Sequence, residues 1–350
     1  MKRHLLLMAL AIVAALNLSA QEKKYSVYAV GFYNLENLFD TCHDEGKNDY
    51  EYLPDGAMKW NGIKYTNKLR NMARVLADMG TDVLPKIGCA IIGVSEVENA
   101  KVLTDLTAQP ALAARGYKFC HVEGEDARGI DCALLYNPRL FTVSDVRLLP
   151  FIQPLEKDSA YKTRGFLTVS GTLGGDRLTV IVNHLPSRFN GSFYREAGAR
   201  QIKAIKDSLI KEDPAVKVIV MGDMNDDPMN RSMAEELSAK REISEVGDGD
   251  MYNPWWNTLK SGKGTLFYNG SWNLFDQIIL SPSLICRGGK KDYSTLKYFR
   301  HQIFSRDYMF QEEGRFKGNP KRTHASGVWL NGYSDHLPTV VYLVKEQKKN

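Results

Sequence analysis

"VIVMGDMNDDP", residues 218–228, is the stretch whose reading decides the fold. Val218, Ile219, Val220 and Met221 form an unbroken apolar run, the pattern of a strand covered on both faces. The run stops at Gly222 and gives way to Asp223, Asn225, Asp226 and Asp227 before Pro228. A turn needs one or two such residues, and three carboxylates with an amide are more than a turn requires. The same arrangement recurs along the chain. Asn34 and Glu36 sit two apart in "FYNLENLFD", a spacing that on a strand points both side chains to one face. Glu96 ends "AIIGVSEVEN", His184 ends "LTVIVNHLPS", and Asp335 and His336 precede the last apolar run, "TVVYLV". Asp276 lies inside "NLFDQIIL", where an unpaired carboxylate is very costly and requires a cation, a histidine or backbone donors.

Two segments between these runs have helical spacing. "YTNKLRNMARVLADMG" repeats apolar residues at Leu69, Met72, Val75, Leu76 and Met79 and ends at Gly80, a stop signal. "REAGARQIKAIKDSLIKE" does the same with Ala199, Ile202, Ile205, Leu209 and Ile210. Many strands with adjacent hairpins and a few long helices predict two stacked mixed sheets covered by helices on the outside. The chain has 350 residues, 43% hydrophobic and 25% charged, enough for a large core and unlike a disordered or collagenous chain. It shows no internal repeat and no composition break after residue 24, so one domain is expected.

The start reads differently. Met1-Lys2-Arg3-His4 is basic, Leu5 to Leu18 is apolar, and small residues follow up to Ala20. This is the pattern of a secretory signal over residues 1–20, and it is short for a membrane span of about 20 residues. The mature chain is expected to be exported, to a periplasm or outside the cell, with no stable membrane insertion, and to act as a monomer. Five cysteines are too few and too scattered for a disulfide scaffold or a zinc knuckle. Cys120 and Cys132 flank a polar turn; a hairpin centred near Asp126 would set them opposite each other, as a disulfide or as two buried thiols. The formal charge of +5 is mild, yet residues 287–322 carry ten Lys/Arg against four Asp/Glu. Aromatic residues interleave with those cations, a mixture suited to an anionic partner that can stack.

Each polar strand end has an ordinary explanation, since a lone Asn or Asp there usually forms a turn. Six such ends with acid, amide or imidazole groups point instead to one assembled site. Carboxylates without cysteine favour a hard cation, Mg²⁺ or Mn²⁺, over zinc. Two histidines, a cation and an uncommitted Asp suit hydrolysis of a phosphoester. Arg128, Arg164 and Arg188 are the candidates for binding substrate, each with the fork that grips phosphate, solvated surface being the alternative for each. Asp131 reads either as a buttress or as a turn residue.

Taken in order, "FYNLEN", "SEVEN", "NHLPSR", "GDMND", "WNLFDQIILS" and "SDHLP" resemble the endonuclease/exonuclease/phosphatase family, over about residues 25–345. Any one motif is weak, and six in sequence are specific. The resemblance implies a four-layered α/β sandwich of two packed mixed sheets flanked by helices, and hydrolysis of phosphoester bonds with a divalent metal, usually Mg²⁺. It implies that Glu96 is the principal metal ligand, with Asn34 and Glu36 close by and Asp335 assisting. Asp223 would orient or deprotonate the attacking water, held by Asn225. His336 would contact phosphate, fixed by Asp276, and His184 would be a second catalytic imidazole.

The substrate is less determined than the chemistry. "GDMNDDP" lacks the Arg that inositol phosphatases carry after Asn, and "WNLFDQIIL" lacks their "CDR"-like element. A sphingomyelinase calls for an exposed apolar hairpin, and the aromatic stretch 251–273 offers Trp255, Trp256 and Trp272 for that part, for base stacking or simply for the core. A phosphodiesterase acting on nucleic acid is the leading expectation. A sphingomyelinase-like enzyme, an inositol-phosphate phosphatase or a catalytically silent binding protein are the alternatives.

Overall fold

The structure, a computed structural model, describes residues 23–155, 161–289 and 291–347. The expected signal over residues 1–20 lies outside the described residues. The stretch that opened the reading ends a strand buried at all seven positions, β8 (Lys217–Asp223). It runs parallel to β7 (Asp176–His184) and antiparallel to β13 (Asp276–Leu280). Period-2 alternation sends Val218 and Val220 to one face and Ile219 and Met221 to the other. Both faces are covered, which is why no polar residue interrupts the run.

β8 lies inside a seven-stranded sheet. Its other members are β5 (Phe141–Leu149), β6 (Phe166–Leu173), β9 (Ala239–Lys240) and β10 (Met251–Tyr252), and the order is β5-β6-β7-β8-β13-β10-β9. A six-stranded sheet is built from β1 (Tyr25–Leu38), β2 (Cys89–Val97), β3 (Lys118–His121), β4 (Asp131–Tyr136), β14 (Lys297–Ile303) and β17 (Thr339–Glu346). Its order is β14-β17-β1-β2-β4-β3, with β1 and β2 parallel and their neighbours β17 and β4 antiparallel. Two small hairpins, β11 (Leu266–Tyr268) with β12 (Ser271–Asn273) and β15 (His324–Ala325) with β16 (Val328–Trp329), stand apart from both sheets.

The helices are α1 (Gly62–Asp78), α2 (Ala100–Thr107), α3 (Pro110–Ala113), α4 (Ser192–Glu212) and α5 (Trp256–Lys260). Asn61 caps α1 by accepting from the backbone N–H groups of Ile63 and Lys64. The helix stops where the sequence places its signal, because Gly80 takes a left-handed φ of +76° that other residues avoid. Three apolar clusters lie between the layers. One joins α1 and α2 to the six-stranded sheet, one fills the space between the sheets, and one joins the seven-stranded sheet to α4. That is the expected four-layered sandwich in one domain. At about 1.5–3 kcal/mol for each fully buried large apolar side chain, these interfaces dominate folding. No helix of the described residues is long and apolar enough to cross a membrane.

Two readings that the sequence left open are decided, and the hairpin centre shifts by one residue from Asp126. The β3–β4 hairpin is centred on Ala127, so Cys120 faces Leu134, while Cys132 pairs with Ser95 on the neighbouring strand. Both are buried free thiols in the inter-sheet core. Trp255 is also core, fully buried with its indole N–H donating to the Ile278 carbonyl at 3.0 Å, and so it cannot belong to a lipid-seeking hairpin.

Candidate active site

The parallel pairs β1–β2 and β7–β8 end at the same edge of the sandwich, the position where α/β sheets build their sites. His184 and Asp223 are register neighbours at the ends of β7 and β8. Asp276, the first residue of antiparallel β13, lies directly opposite Asp223. Close approach at this corner requires Gly222: a Cβ there would collide with the Asn183 carbonyl. From the other sheet come Asn34 and Glu96, each beside an irregularity in the β1–β2 pairing. Glu96 holds a φ of +59°, which turns its carboxylate out of the ladder and toward Asp223. Asn34 Nδ2 ties the two sheets together, donating to Glu96 Oε1 at 3.1 Å and to Asp223 Oδ2 at 3.0 Å. Its own Oδ1 accepts from the Glu36 N–H, which fixes the amide orientation.

The histidines complete the cluster. His336 Nδ1 lies 2.7 Å from Asp276 Oδ2, and its Nε2 lies 3.8 Å from Asp223 Oδ2. Burial alone would depress this imidazole, but Asp276, by charge and hydrogen bond, and Asp223 hold its pKa well above the usual value. The charged form of His336 is the one its surroundings favour. His184 behaves oppositely. Its Nε2 is 3.5 Å from Asp223 Oδ2, while burial, reinforced by the positive charges of Arg164 and Arg128, pushes its pKa well below the usual range. Its Nδ1 is buried without a partner. Asp223 is pushed up by burial and by the negative charges of Asp276 and Glu96, with His336 and the Asn225 N–H working the other way. A carboxylate raised toward neutrality beside a fixed imidazolium is suited to taking a proton from water.

Glu96, His184 and Asp223 each offer a ligand atom within 4.8 Å of the others. Glu96 accepts only from neutral donors, Asn34 Nδ2 and the Asn37 N–H, and no ion pair to it exists among the described residues. Two carboxylates and an imidazole, with no direct ion pair on Glu96, fit a hard divalent cation. Glu96 would hold the ion, with Asp223 and the His184 ring beside it. When bound, such an ion neutralises phosphate charge and lowers the pKa of water.

Other expected residues fall elsewhere. Glu36 does not share the face of Asn34, because its φ of +49° breaks the strand geometry. Its carboxylate accepts from the Thr323 N–H at 2.7 Å and from Arg322 Nε at 3.1 Å, away from Glu96. Burial and the nearby Asp335 raise its pKa, and Lys68 and Arg322 oppose the rise. Asp335 is likewise bound to Arg322, at 2.8 Å, while its other carboxylate oxygen lies 3.9 Å from His336 Nε2. Asn225, at φ +50°, holds Asp223 through its backbone N–H, while its side chain donates to the Leu185 carbonyl. Arg164 is buried in the same cleft, paired with Asp126 at 2.9 Å, with its Nε unpartnered. Arg128 lines the cleft with a half-exposed side chain. Arg188 does not: its guanidinium clamps the Asn225 carbonyl, Asp227 and Asn273, and stacks on Phe275. Asp226 and Asp227 do more than turn the chain. Asp226 pairs with Arg195 at 2.9 Å and accepts from Ser232, and Asp227 accepts from the Leu274 N–H. Asp131 buttresses the β3–β4 hairpin, accepting from Gly124 and pairing with His121.

Sequence reasoning passed over Lys68, Arg322 and Asp126. Lys68 had a legible signal, since it falls on the apolar stripe of α1; it is buried with its Nζ on Thr323 Oγ1 and the Tyr333 carbonyl, 3.9 Å from Glu36. Arg322 was visible only as one cation in a basic stretch.

The geometry can be set beside known proteins. The profile described as the endonuclease/exonuclease/phosphatase family matches residues 29–345. The fold is similar to an endonuclease/exonuclease/phosphatase family protein of Bacteroides thetaiotaomicron (16% identity, TM-score 0.55, covering 94% of this chain and 100% of that one). It is similar to a mannosyl-6-phosphatase of the same organism (16%, TM-score 0.55, 90% and 99%). It is also similar to D. rerio TDP2 solved with a single strand DNA product (13%, TM-score 0.53, 91% and 99%). No curated protein matches. With the profile spanning nearly all the described residues, the chain belongs to the endonuclease/exonuclease/phosphatase family and is a hydrolase of phosphoester bonds.

Proposed function

We propose that this protein is an exported, Mg²⁺-dependent phosphodiesterase that cleaves nucleic acid. One observation carries the reading of the chemistry: Asp223, raised toward neutrality, lies between the imidazolium of His336 and the uncompensated carboxylate of Glu96. Asp223 orients the attacking water and accepts its proton. His336, charged by Asp276, donates to the phosphate oxygens as negative charge builds on them. His184, neutral and uncharged by its surroundings, presents Nε2 beside the same atoms as a hydrogen-bond partner for phosphate. Arg164 adds fixed positive charge at the wall of the cleft.

The reading of a nucleic acid substrate is supported by the mouth of this cleft, a cavity of about 500 Å³. Arg128 and Lys162 line it with half-exposed side chains, and Phe189 beside them is 99% exposed. Cations with a bare aromatic ring match an anionic chain that stacks. The basic and apolar start of the sequence supports export. The test is a panel with Mg²⁺ and with EDTA: bis(p-nitrophenyl) phosphate, supercoiled plasmid, mannose 6-phosphate and sphingomyelin. Plasmid nicking and release of p-nitrophenol, both abolished by EDTA and by His184→Ala, are the expected results. Release of phosphate from mannose 6-phosphate with the plasmid left intact would overturn the nuclease reading. Inactivity on the whole panel would favour a silent binding protein.

A further inference from the structure

A second cavity, of about 600 Å³, adjoins the phosphate site and plays no part in the chemistry above. One wall is the β11–β12 hairpin and the other is the segment 311–330. The two cavities meet at Asp335 and His336, one lined by each residue, and Leu266 at the start of β11 forms a backbone bridge to His336. Whatever occupies the second cavity therefore sits next to the group that contacts phosphate.

The lining is specific in kind. Phe267 and Tyr268 come from the hairpin and Phe316 from the facing segment; Tyr268 is 55% exposed and Phe316 46%. Both rings lie in the lining of the same cavity with surface left open to a ligand. Between them stand amides. Gln311 has a buried Oε1 with no partner, an acceptor waiting for a donor, and Asn319 lies beside it in the lining. At the end nearest the phosphate, Arg322 is anchored by Glu36 and Asp335. The size falls within the range of about 300–1,000 Å³ usual for small-molecule sites.

We infer that this cavity holds the nucleobase of a nucleotide flanking the scissile phosphate, stacked on Tyr268 and Phe316 and read by Gln311. A base has two faces for stacking and an edge that both donates and accepts. An acyl chain would leave the unpaired acceptor and the cation without use, and a sugar ring, whose hydroxyls can donate to the acceptor, offers no flat π face to the two rings. Arg322 marks the border where ring gives way to phosphate. The inference rests on the reading of a phosphodiester substrate and adds to it the site that recognises the ring.

The test compares two chromogenic diesters, thymidine p-nitrophenyl phosphate and methyl p-nitrophenyl phosphate, on wild type, Tyr268→Ala and Phe316→Ala with Mg²⁺. Removal of a stacking ring should raise KM for the thymidine ester about tenfold more than KM for the methyl ester, with kcat changed little for either. A second measurement does not depend on turnover: binding of thymidine monophosphate, methyl phosphate and mannose 6-phosphate to the intact protein, followed by calorimetry. Thymidine monophosphate should bind about tenfold more tightly than methyl phosphate, an advantage lost in Tyr268→Ala. Equal binding of the two, an advantage untouched by both substitutions, or tighter binding of mannose 6-phosphate would overturn the inference. If neither diester is hydrolysed while thymidine monophosphate still binds through Tyr268, the phosphodiesterase reading fails and the base site stands.

Discussion

The Asp276→Asn variant tests the electrostatic core of the site. Asp276 is fully buried, and its Oδ2 lies 2.7 Å from His336 Nδ1, so the exchange keeps the shape and removes one charge. Two effects follow. Burial is the largest influence on His336 and favours the neutral ring; without Asp276 only Asp223 and Asp335 oppose it, so the pKa should fall and the charged fraction of the ring with it. The ionic hydrogen bond itself, worth about 1.5–3 kcal/mol, is also lost from the transition state. Together these reduce kcat by about 10²–10³-fold, and a tautomer-fixing carboxylate in a protease triad costs about 10⁴-fold. The pH profile gives the sign. Activity needs Asp223 ionised and His336 protonated, so wild type should rise through the raised pKa of Asp223 and fall only above the raised pKa of His336. Asp276 raises His336, so the variant's basic limb should shift to lower pH, while on the acid limb the loss of the Asp276 charge and the weakened charge of His336 act on Asp223 in opposite directions. Steady-state hydrolysis of bis(p-nitrophenyl) phosphate from pH 5 to 9, with thermal unfolding to verify the fold, measures this. A kcat within about threefold of wild type at pH 7.5, on an unshifted profile, would refute the role given to Asp276.

The remaining predictions concern the metal, the buried lysine and the thiols. Mg²⁺ at 100 times its Kd should stabilise wild type by about 2.7 kcal/mol, seen as a higher melting temperature, and Glu96→Gln should abolish that response; a persistent shift would place the ion elsewhere. Lys68→Met should cost about 1–3 kcal/mol in urea unfolding because it leaves the Thr323 hydroxyl and Tyr333 carbonyl without their buried donor and Glu36 with Arg322 as its one remaining cation among the described residues, and adding Glu36→Gln should recover a part; additive losses in the double variant would disprove the coupling. Thiol titration in denaturant without reductant should find all five cysteines free, and any shortfall that reductant restores would contradict the free pair Cys120 and Cys132.

How legible a residue was depended on whether its neighbours in sequence are also its neighbours in space. The strands could be read because a two-sided interior shows as an unbroken apolar run, and β8 is buried throughout. Asp276 could be read because it is flanked by Leu274, Phe275, Ile278 and Ile279, which left its carboxylate in need of a partner from elsewhere. Glu36 misled because period-2 reasoning assumes a regular strand, while the real partners, Lys68 and Arg322, lie 32 and 286 residues away. Arg188 misled for a related reason. Its fork suits phosphate, but a fork also suits a carbonyl, a carboxylate and an amide at once, and sequence does not say which are within reach.

The departures from regular geometry share a location. Glu36, Asn37, Glu96 and Asn225 all adopt left-handed φ values, between +49° and +59°, and all lie in or beside the site. Each such residue costs of order 1–3 kcal/mol unless its surroundings impose it. Here the imposition is visible. Asn34 pulls Glu96 toward Asp223, the Asn37 N–H accepts no ladder role and donates instead to Glu96 Oε2, and the Asn225 N–H is spent on Asp223 Oδ1. The backbone thus gives up regular pairing at one corner so that carboxylates from two sheets can face each other. Two negative groups held together in this way repel; His336 relieves the repulsion on one side, and the cation proposed at Glu96 would relieve it on the other. The strain and the charge are parts of one arrangement: a corner that is costly to the fold alone, and whose electrostatics improve when metal and phosphate arrive together.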